Sequence, residues 1–194
     1  LFSVLIFAQE ADKLVDSTTQ NLVKLENVTI SAIRAGINTP ISFNNVEKEQ
    51  IEIENIGKDL PMVLKNLPSV VTTSDAGAGV GYTGIRIRGS DASRVNITIN
   101  GFPFNDAESH GTYWVNLPDF VSSVEEIQVQ RGVGTSTNGS GAFGASININ
   151  TENPSKNPFS SLSSSFGTFA TFKNSLKFST GISDSGFGFS GRLS

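Results

Sequence analysis

The sequence contains no cysteine and a single histidine, His110. Without cysteine, the protein has no disulfide, no thiolate zinc site and no cysteine nucleophile. A single imidazole excludes every metal site that needs two histidine ligands. A Ser-His-Asp hydrolase also lacks support, because no serine stands in the G-x-S-x-G pattern of a strand-to-helix turn. We therefore expect a protein that is not an enzyme and that has no cofactor and no resident metal.

Basic residues are outnumbered, with 14 Lys and Arg against 18 Asp and Glu in 194 residues. A broad basic surface is therefore not expected, and nucleic acid is not a predicted partner. Two glycine arrays, at 79–84 and 139–144, match the pattern G-x-G-x-x-G. Both lead into strand-like residues, whereas a dinucleotide site needs a helix directly after the glycines. Nucleotide binding is therefore not expected either.

Long apolar runs are missing, and no stretch approaches the ~18 consecutive apolar residues that a membrane helix requires. Residues 1–8 are apolar and stop at Gln9-Glu10, which resembles the back half of a secretory signal. A short buried strand is the alternative. Residues 9–24 are polar and lack a sustained period, as in a flexible leader. The alternating residues at the other end stop without a turn, so we expect the chain to be a fragment.

Local patterns predict the first regular elements. Residues 28–32 alternate like one short strand, as do residues 41–46, and residues 48–55 suit one or two helical turns. A second helix is predicted to begin at Asp59, whose carboxylate can accept hydrogen bonds from the first-turn amides, and to end at Pro68. Its predicted buried stripe consists of Met62, Val63, Leu64 and Leu67.

From residue 72 onward, glycine-rich loops alternate with short strands. Strands are predicted at 85–89, 95–99, 127–131 and 146–151, with a helical turn at 120–124. Asn100-Gly101 is a strong signal for a tight turn. Arg88 and Arg131 each end a strand and precede a glycine. In isolation, two solvated arginines are the simpler interpretation, but a facing barrel wall would have to offer carboxylates to pair with them.

The last 36 residues differ in composition, with seven of the chain's 14 phenylalanines, eleven serines and only four charges. Much of the segment alternates between apolar and polar residues from 170 to 180, which is typical of membrane barrel strands with a lipid face and a polar inner face. A soluble sandwich hairpin has a similar pattern. The segment suffices for about three strands, and because a closed barrel needs at least ~8, it cannot close by itself.

Taken in order, these features resemble the N-terminal part of a TonB-dependent outer-membrane receptor. The resemblance covers residues 25–151 and depends on the order and spacing of VTISA, the helix ending in LPSV, IRIRG, ITING, VEEIQVQRG and GASINI. Two positions depart from the family pattern, which often has a proline after the arginine-glycine pair and a tyrosine-glycine shortly after. Val133 and the Asn138-Gly139 pair stand there in this chain.

The resemblance implies an α+β plug domain, with a small mixed sheet, short helices and Gly-rich loops, followed by the first antiparallel strands of a truncated transmembrane β-barrel. It assigns residues 1–8 to a signal-peptide remnant, 9–36 to a flexible leader, 37–153 to the plug and 159–194 to barrel strands. The implied function is TonB-dependent import of a scarce substrate, most commonly a ferric siderophore, with cobalamin, haem, other metal chelates and glycans as alternatives. The implied location is the Gram-negative outer membrane, with the plug facing the periplasm and with TonB, the substrate and outer-membrane lipid as partners.

The resemblance also assigns the segment that TonB would bind. The residues that match this TonB box are Val28, Thr29, Ile30, Ser31 and Ala32. An unpaired strand can add to a sheet edge of its partner, and about five backbone hydrogen bonds of ~1 kcal/mol each give a selective but reversible grip. A pull along this segment would displace or unfold the weaker part of the plug.

Two further sets of residues follow from the resemblance. Arg88 and Arg131 match plug arginines that pair with glutamates on the inner barrel wall in the family. Loops at 74–84, 90–94 and 102–116 are expected to reach the extracellular side, where the substrate arrives. The predicted substrate contacts in these loops are Tyr82, Asp106, His110, Tyr113 and Trp114. For Tyr113 and Trp114 the alternative is packing within the plug.

A function from a different class remains open, namely a secreted β-rich binding or adhesion module. In that interpretation the glycine loops are tips and the phenylalanine strands form a soluble sheet. A reading frame that continues in alternating strands of ~10 residues would favour the receptor, whereas an early stop would favour the module.

Overall fold

The computed structural model describes residues 34–36, 38–134, 141–168, 171–183 and 185–194. The predicted signal remnant and the predicted TonB-binding strand at 28–32 lie outside these residues. Contacts divide the chain into two compact units, one comprising Ala32–Asn153 and the other including Pro154–Ser194. Among the described residues, no helix has the length and apolar character needed to cross a membrane.

The first unit combines seven strands with two short helices. In chain order its elements are β1 (Ser42–Glu47), α1 (Lys48–Glu54), α2 (Leu60–Val63), β2 (Val70–Ser74), β3 (Thr83–Ile87), β4 (Val95–Ile99), β5 (Phe102–Pro103), β6 (Val124–Arg131) and β7 (Ala145–Thr151). Single 3₁₀ turns occur at Ala92–Arg94, Trp114–Asn116 and Phe120–Ser123. Short strands joined by glycine-rich loops are what the alternating sequence predicts.

Five strands form a mixed sheet in the order β1-β6-β7-β4-β5. Strands β4 and β7 are parallel, with Val95 opposite Ala145 and Ile99 opposite Ile149. The other neighbouring pairs in this sheet are antiparallel. Strands β2 and β3 form a separate antiparallel hairpin. Residues 100–144 separate β4 from β7 in the sequence, so the central parallel pair joins distant parts of the chain.

One face of the five-stranded sheet carries the hydrophobic core. Alternate residues of β4, β6 and β7 point to this face and pack against the helices and β3. The residues buried almost completely are Ile51, Leu60, Leu64, Ile87, Val95, Ile97, Val121, Ile127, Ile147 and Ile149. Each such side chain contributes about 1.5–3 kcal/mol relative to an exposed position, so this face supplies most of the stability of the unit.

The opposite face of the same strands is polar and also buried. Its side chains include Thr98, Gln128, Gln130, Ser146 and Asn148. The Thr98 hydroxyl donates a hydrogen bond of 2.7 Å to the Asn148 side-chain oxygen. Burial of a polar atom without a hydrogen bond costs free energy, and on this face the Ser146 hydroxyl and the Asn148 side-chain nitrogen have no partner among the described residues.

The predicted second helix is shorter than the sequence pattern indicates. Helix α2 has only four residues, and the Asp59 carboxylate makes no capping hydrogen bond to the helix. It accepts instead from the Thr83 hydroxyl at 2.8 Å. The chain after α2 continues in tight turns, with the Leu67 amide donating to the Leu64 oxygen, and Ser69 then adopts a positive φ of 64° before β2. The prediction of a helix up to Pro68 was therefore wrong.

The second unit is a three-stranded antiparallel sheet in the order β10-β9-β8. Its strands are β8 (Pro158–Phe166), β9 (Phe172–Ile182) and β10 (Gly188–Leu193). By the strand register, one face carries Leu162, Phe166, Phe172, Leu176, Phe178 and Leu193, together with the polar Ser160, Ser164 and Asn174. The other carries Ser161, Ser163, Ser165, Lys173, Ser175, Lys177, Ser179 and Arg192, together with Phe159. The predicted two-faced antiparallel strands are therefore present.

Candidate functional site

A cavity of about 250 Å³ lies beside the β2–β3 hairpin. Its lining includes three of the predicted substrate contacts, namely Tyr82, Tyr113 and Trp114. Tyr82 and Tyr113 are exposed, at 67% and 50%, whereas Trp114 is only 3% exposed. The two tyrosine rings are therefore accessible to a ligand, and the tryptophan ring packs into the core beneath them.

The same cavity contains a polar group without a partner. The Thr112 hydroxyl is buried and has no hydrogen-bond partner among the described residues, and Thr112 lines the cavity together with Asp75. Exposed aromatic rings and a few polar groups are the usual means by which a protein contacts a partly apolar small molecule.

The glycine-rich loop between β2 and β3 is fixed at both ends. The Asp75 amide donates to the Tyr82 oxygen at 3.1 Å, and the Asp59 amide donates to the Gly79 oxygen at 2.9 Å. Gly79 has a φ of 78°, and a Cβ there would lie 3.0 Å from the Lys58 Cδ atom. Glycine is therefore required at this position, and the loop places Tyr82 at the cavity.

Asp106 and His110 lie together in a separate turn and do not line this cavity. The Asp106 carboxylate accepts from the Ser109 amide at 2.7 Å, the Ser109 hydroxyl at 2.8 Å and the Glu108 amide at 3.2 Å. Hydrogen bonds from Ser109, and then from the Glu108 amide, lower the pKa of Asp106. The described residues contain no cluster of three possible metal ligands. The carboxylate thus stabilises its own turn.

The two predicted plug arginines come from different sheets, since Arg88 follows β3 of the hairpin and Arg131 ends β6. A Cβ on Gly132 would lie 3.1 Å from an Arg88 guanidinium nitrogen, so the Arg88 side chain reaches the backbone next to Arg131. Arg131 donates to the Ser42 hydroxyl at 2.9 Å and to the Pro68 oxygen at 3.4 Å. Within the described residues, neither arginine forms an ion pair with a carboxylate.

Arg88 itself has an unusual backbone conformation. Its φ is 52°, and Gly89 follows with a φ of 74°. The Arg88 amide donates to the Ser69 oxygen at 2.9 Å, which ties this turn to the residue before β2. A non-glycine residue in the left-handed region costs of order 1 kcal/mol, and such strain is typical of functional positions.

The residues in front of β1 contact strand β6. The Arg34 guanidinium makes two charged hydrogen bonds to the Glu126 carboxylate. The Gln128 side chain accepts from the Ala35 amide at 2.8 Å and donates to the Ala35 oxygen at 3.0 Å. Strand β6 therefore holds the last part of the predicted leader through two adjacent positions on one face.

Comparison with known families decides the identity of the first unit. A family model described as the TonB-dependent Receptor Plug Domain matches residues 35–146, which is more than half of the 194-residue chain. The chain belongs to the TonB-dependent receptor plug family. The resemblance stated from the sequence is thereby confirmed, and the first unit is the plug.

Curated relatives of similar sequence include two receptors. The vitamin B12 transporter BtuB of Vibrio vulnificus is 33% identical over 110 residues, covering 57% of this chain and 17% of the transporter. The probable TonB-dependent siderophore receptor PirA of Acinetobacter baumannii is 25% identical over 165 residues, covering 78% of this chain and 22% of PirA. The chain thus spans about a fifth of the length of these relatives.

Solved structures show the same fold. The alcaligin outer-membrane receptor FauA from Bordetella pertussis has a TM-score of 0.59 at 19% identity, over 77% of this chain and 25% of FauA. The siderophore receptor PirA from Acinetobacter baumannii has a TM-score of 0.53 at 24% identity, over 71% of this chain and 21% of PirA. The predicted fold class, a mixed plug followed by antiparallel strands, is confirmed.

Sequence reasoning missed the contacts between the plug sheet and its leader. Glu126, Gln128 and Gln130 stand at alternate positions of β6, with Ile127 and Val129 between them, so one polar face could be recognised from the sequence. The leader partners of Glu126 and Gln128, Arg34 and Ala35, lie 92 and 93 residues away, respectively. A local sequence pattern cannot predict a contact between residues so far apart in the sequence.

Proposed function

We propose that this chain is the N-terminal part of an outer-membrane receptor that actively imports a scarce substrate with energy delivered by TonB. The plug closes the pore, and the segment Val28, Thr29, Ile30, Ser31 and Ala32 is the part that TonB binds. The observation that carries this proposal is the family match over residues 35–146, which lies within the first compact unit.

The second unit supports a barrel wall after the plug. Its apolar face carries Phe and Leu side chains, including a Phe166–Phe172 ring pair 4.9 Å apart. Its polar face carries serines and three cationic side chains. A lipid-facing apolar side and a polar inner side are what strands of a membrane barrel require. A secreted adhesion module is the alternative that this proposal replaces.

A ferric siderophore is the proposed substrate class. The cavity offers the exposed rings of Tyr82 and Tyr113 and the unpaired Thr112 hydroxyl, which suit a ligand with both apolar and oxygen-rich parts. PirA is named a siderophore receptor in both comparisons. Cobalamin is the second candidate, since BtuB is the relative with 33% identity.

Arg88 and Arg131 are proposed to hold the plug in the pore. The Arg88 guanidinium lies beside Gly132, the residue after Arg131, and neither arginine makes an ion pair within the described residues. Carboxylates on a facing barrel wall would form ion pairs with both arginines. Such a pair can be bidentate, because the guanidinium group is planar.

The decisive experiment deletes residues 28–32 from the full-length receptor. A matched control deletes residues 16–20, an equally long polar stretch of the same leader. Uptake of radiolabelled ferric siderophores and of cobalamin is measured in energised cells, together with surface binding. We expect the first deletion to abolish uptake and leave binding unchanged, and the control to transport normally. Normal uptake without residues 28–32 would contradict the proposed function.

A further inference from the structure

Strand β6 holds the leader through a pair of contacts at Arg34 and Ala35. The Gln128 side-chain amide engages both backbone groups of Ala35, as a neighbouring strand would. Gln128 is only 2% exposed, and the Arg34 and Glu126 side chains are 13% and 22% exposed. Bidentate pairs of arginine with carboxylate are among the stronger and more directional polar contacts when partly buried.

The same two residues of β6 also face strand β1. Glu126 stands opposite Glu47, and Gln128 stands opposite Asn45. The Gln128 amide nitrogen also donates to the Asn45 side-chain oxygen at 2.9 Å. Gln128 therefore binds both the leader and β1, so that a change in one contact affects the other.

The path of the chain determines the order in which these contacts come under tension when the N-terminal side is pulled. After Ala35 the chain turns, with the Thr39 amide donating to the Gly36 oxygen at 2.9 Å and the Gly36 amide donating to the Thr39 hydroxyl at 3.0 Å. It then enters β1 at Ser42, opposite Arg131. A pull from the N-terminal side therefore acts on Arg34 and Ala35 before it reaches β1.

Charge links the release of Arg34 to the separation of β1 from β6. Glu47 and Glu126 are like charges at directly opposed positions, an arrangement that destabilises an antiparallel pair. Burial and the charge of Glu126 raise the pKa of Glu47, and the charge of Arg34 opposes this rise. The nearby cation Lys48 pairs instead with Glu125 and Glu152, at 3.3 and 3.1 Å. Removal of Arg34 thus leaves the opposed carboxylates without their compensating cation.

We infer that Arg34, Glu126 and Gln128 form a clasp that holds the leader on the plug sheet at rest and opens first under tension, before β1 separates from β6. The inference depends on the proposed function only for the source of the tension. Closure of the clasp and its place in the load path are properties of the plug, and both can be measured without TonB.

Closure is tested with a spin label in the full-length receptor. These 194 residues contain no native cysteine, and a Cβ at Gly36 meets nothing within 4 Å, so Gly36→Cys is a suitable attachment point once any cysteine elsewhere in the receptor has been replaced by serine. In Gln128→Met or Arg34→Gln, the ratio of mobile to immobile label should rise about tenfold, as expected for the loss of two to three hydrogen bonds.

The control for this experiment is Lys48→Gln, which removes a cation from the same acidic cluster without a contact to the leader. It should leave the label immobile. The charge swap Arg34→Glu with Glu126→Arg should restore immobility lost in Arg34→Gln. An immobile label in both clasp variants, or equal mobilisation by Lys48→Gln, would overturn the inference.

The order of opening is tested by single-molecule force spectroscopy on the full-length receptor, pulled through a tag at the N-terminus. The wild-type receptor should show a first rupture that precedes the release of β1. In Arg34→Gln combined with Gln128→Met, the first rupture should disappear. The second should remain, at or somewhat below the wild-type force, because Gln128→Met also removes the hydrogen bond between Gln128 and Asn45 that joins β6 to β1.

These outcomes separate the clasp from the transport proposal. If the first rupture persists in the double variant, or if both ruptures vanish together, the clasp is not the first element to open and the inference fails. If deletion of residues 28–32 leaves uptake intact while the spin-label and force results hold, the transport proposal fails and the clasp remains.

Discussion

The Asp59 carboxylate accepts a hydrogen bond of 2.8 Å from the Thr83 hydroxyl. This contact joins the residue before α2 to the first residue of β3, directly beside Tyr82. The Asp59 amide meanwhile donates to the Gly79 oxygen. One buried aspartate therefore fixes both the glycine-rich loop and the strand that follows it, and with them the position of an exposed ring at the cavity.

Thr83→Val should destabilise the plug. Valine keeps the shape of threonine but leaves the buried Asp59 carboxylate without this donor, which costs about 1–3 kcal/mol in the free energy of unfolding. The measurement is denaturant unfolding followed by fluorescence of Trp114, the single tryptophan of the chain. Thr72→Val, on the neighbouring strand, is the control and should change the free energy by less than ~0.5 kcal/mol. Equal effects at the two positions would contradict the assigned role of Asp59.

Two glycine substitutions should change stability in opposite directions. Gly79→Ala forces a side chain into a left-handed backbone and against Lys58, so a loss of about 1–2 kcal/mol is expected. Gly36 has no such constraint and no atom within 4 Å of an added Cβ. There the same substitution should be neutral or stabilise by up to ~1 kcal/mol, since it restricts the unfolded chain. A loss at Gly36 comparable to that at Gly79 would refute the comparison.

Glu47→Gln should stabilise the plug at neutral pH. Burial and the charge of Glu126 raise the pKa of Glu47 above its ordinary value of 4.5, against a smaller opposite effect of Arg34. A raised pKa means that the folded state binds the proton more tightly, so the carboxylate lowers stability above the folded pKa and this loss vanishes below 4.5.

Glu47 is exposed, so solvent screens the repulsion, and the expected gain at pH 7 is at the low end of the usual cross-strand charge effect of ~0.2–1 kcal/mol. It should shrink as the pH falls toward 4.5. Unfolding curves recorded at several pH values check this dependence. The exposed Glu52→Gln on α1 serves as the control, with an expected change below ~0.5 kcal/mol at pH 7. A gain for Glu47→Gln that is constant over the whole pH range would exclude charge repulsion as its cause.

Tyr82→Ala and Tyr113→Ala should weaken substrate binding by the full-length receptor. Loss of an aromatic contact corresponds to about 0.5–1.5 kcal/mol beyond the buried area, so an affinity loss of about tenfold is expected for the two combined. Equilibrium binding of the transported ligand to outer membranes measures it. Val71→Ala, an exposed position on β2 outside the cavity, should bind normally. Unchanged affinity in the tyrosine variants would remove the cavity from the substrate path.

Replacement of both Arg88 and Arg131 by alanine should make the full-length receptor permeable. Without the two guanidinium groups, the plug loses its proposed charged contacts with the barrel wall, and small antibiotics should enter the periplasm faster. Antibiotic sensitivity and plug retention are the measurements. Arg86→Ala, which removes an exposed arginine from β3, is the matched control. Wild-type permeability with a retained plug would count against the proposed lock.

Short-range patterns were sufficient to predict several elements. Strand β4 lies at the predicted residues 95–99, because its alternation and the following Asn100-Gly101 turn are both local signals. Helix α2 was predicted too long, since an apolar helical stripe from Met62 to Leu67 does not reveal that the chain turns at Leu64. Strand β2 was missed because its residues qualify as a strand only through pairing with β3.

The parts of the candidate site that depend on local sequence could be predicted, and the parts that depend on contacts between distant residues could not. Exposed aromatic residues in glycine-rich loops, such as Tyr82 and Tyr113, can be recognised from the sequence. The meeting of Arg88 with the backbone beside Arg131 requires two distant strand ends to be aligned. The Gln128 contact with Ala35 requires the leader to fold back across the sheet, and only tertiary structure contains that information.

Among the described strands, β1 occupies one end of the five-stranded sheet. If β1 separates from the sheet, the other four strands, β6, β7, β4 and β5, keep all of their mutual hydrogen bonds. The exposed edge of β6 is then free to pair again with the detached strand in the original register. If the proposed function is correct, the plug would recover after each transport event by re-pairing a few residues of β1 with β6, without refolding as a whole.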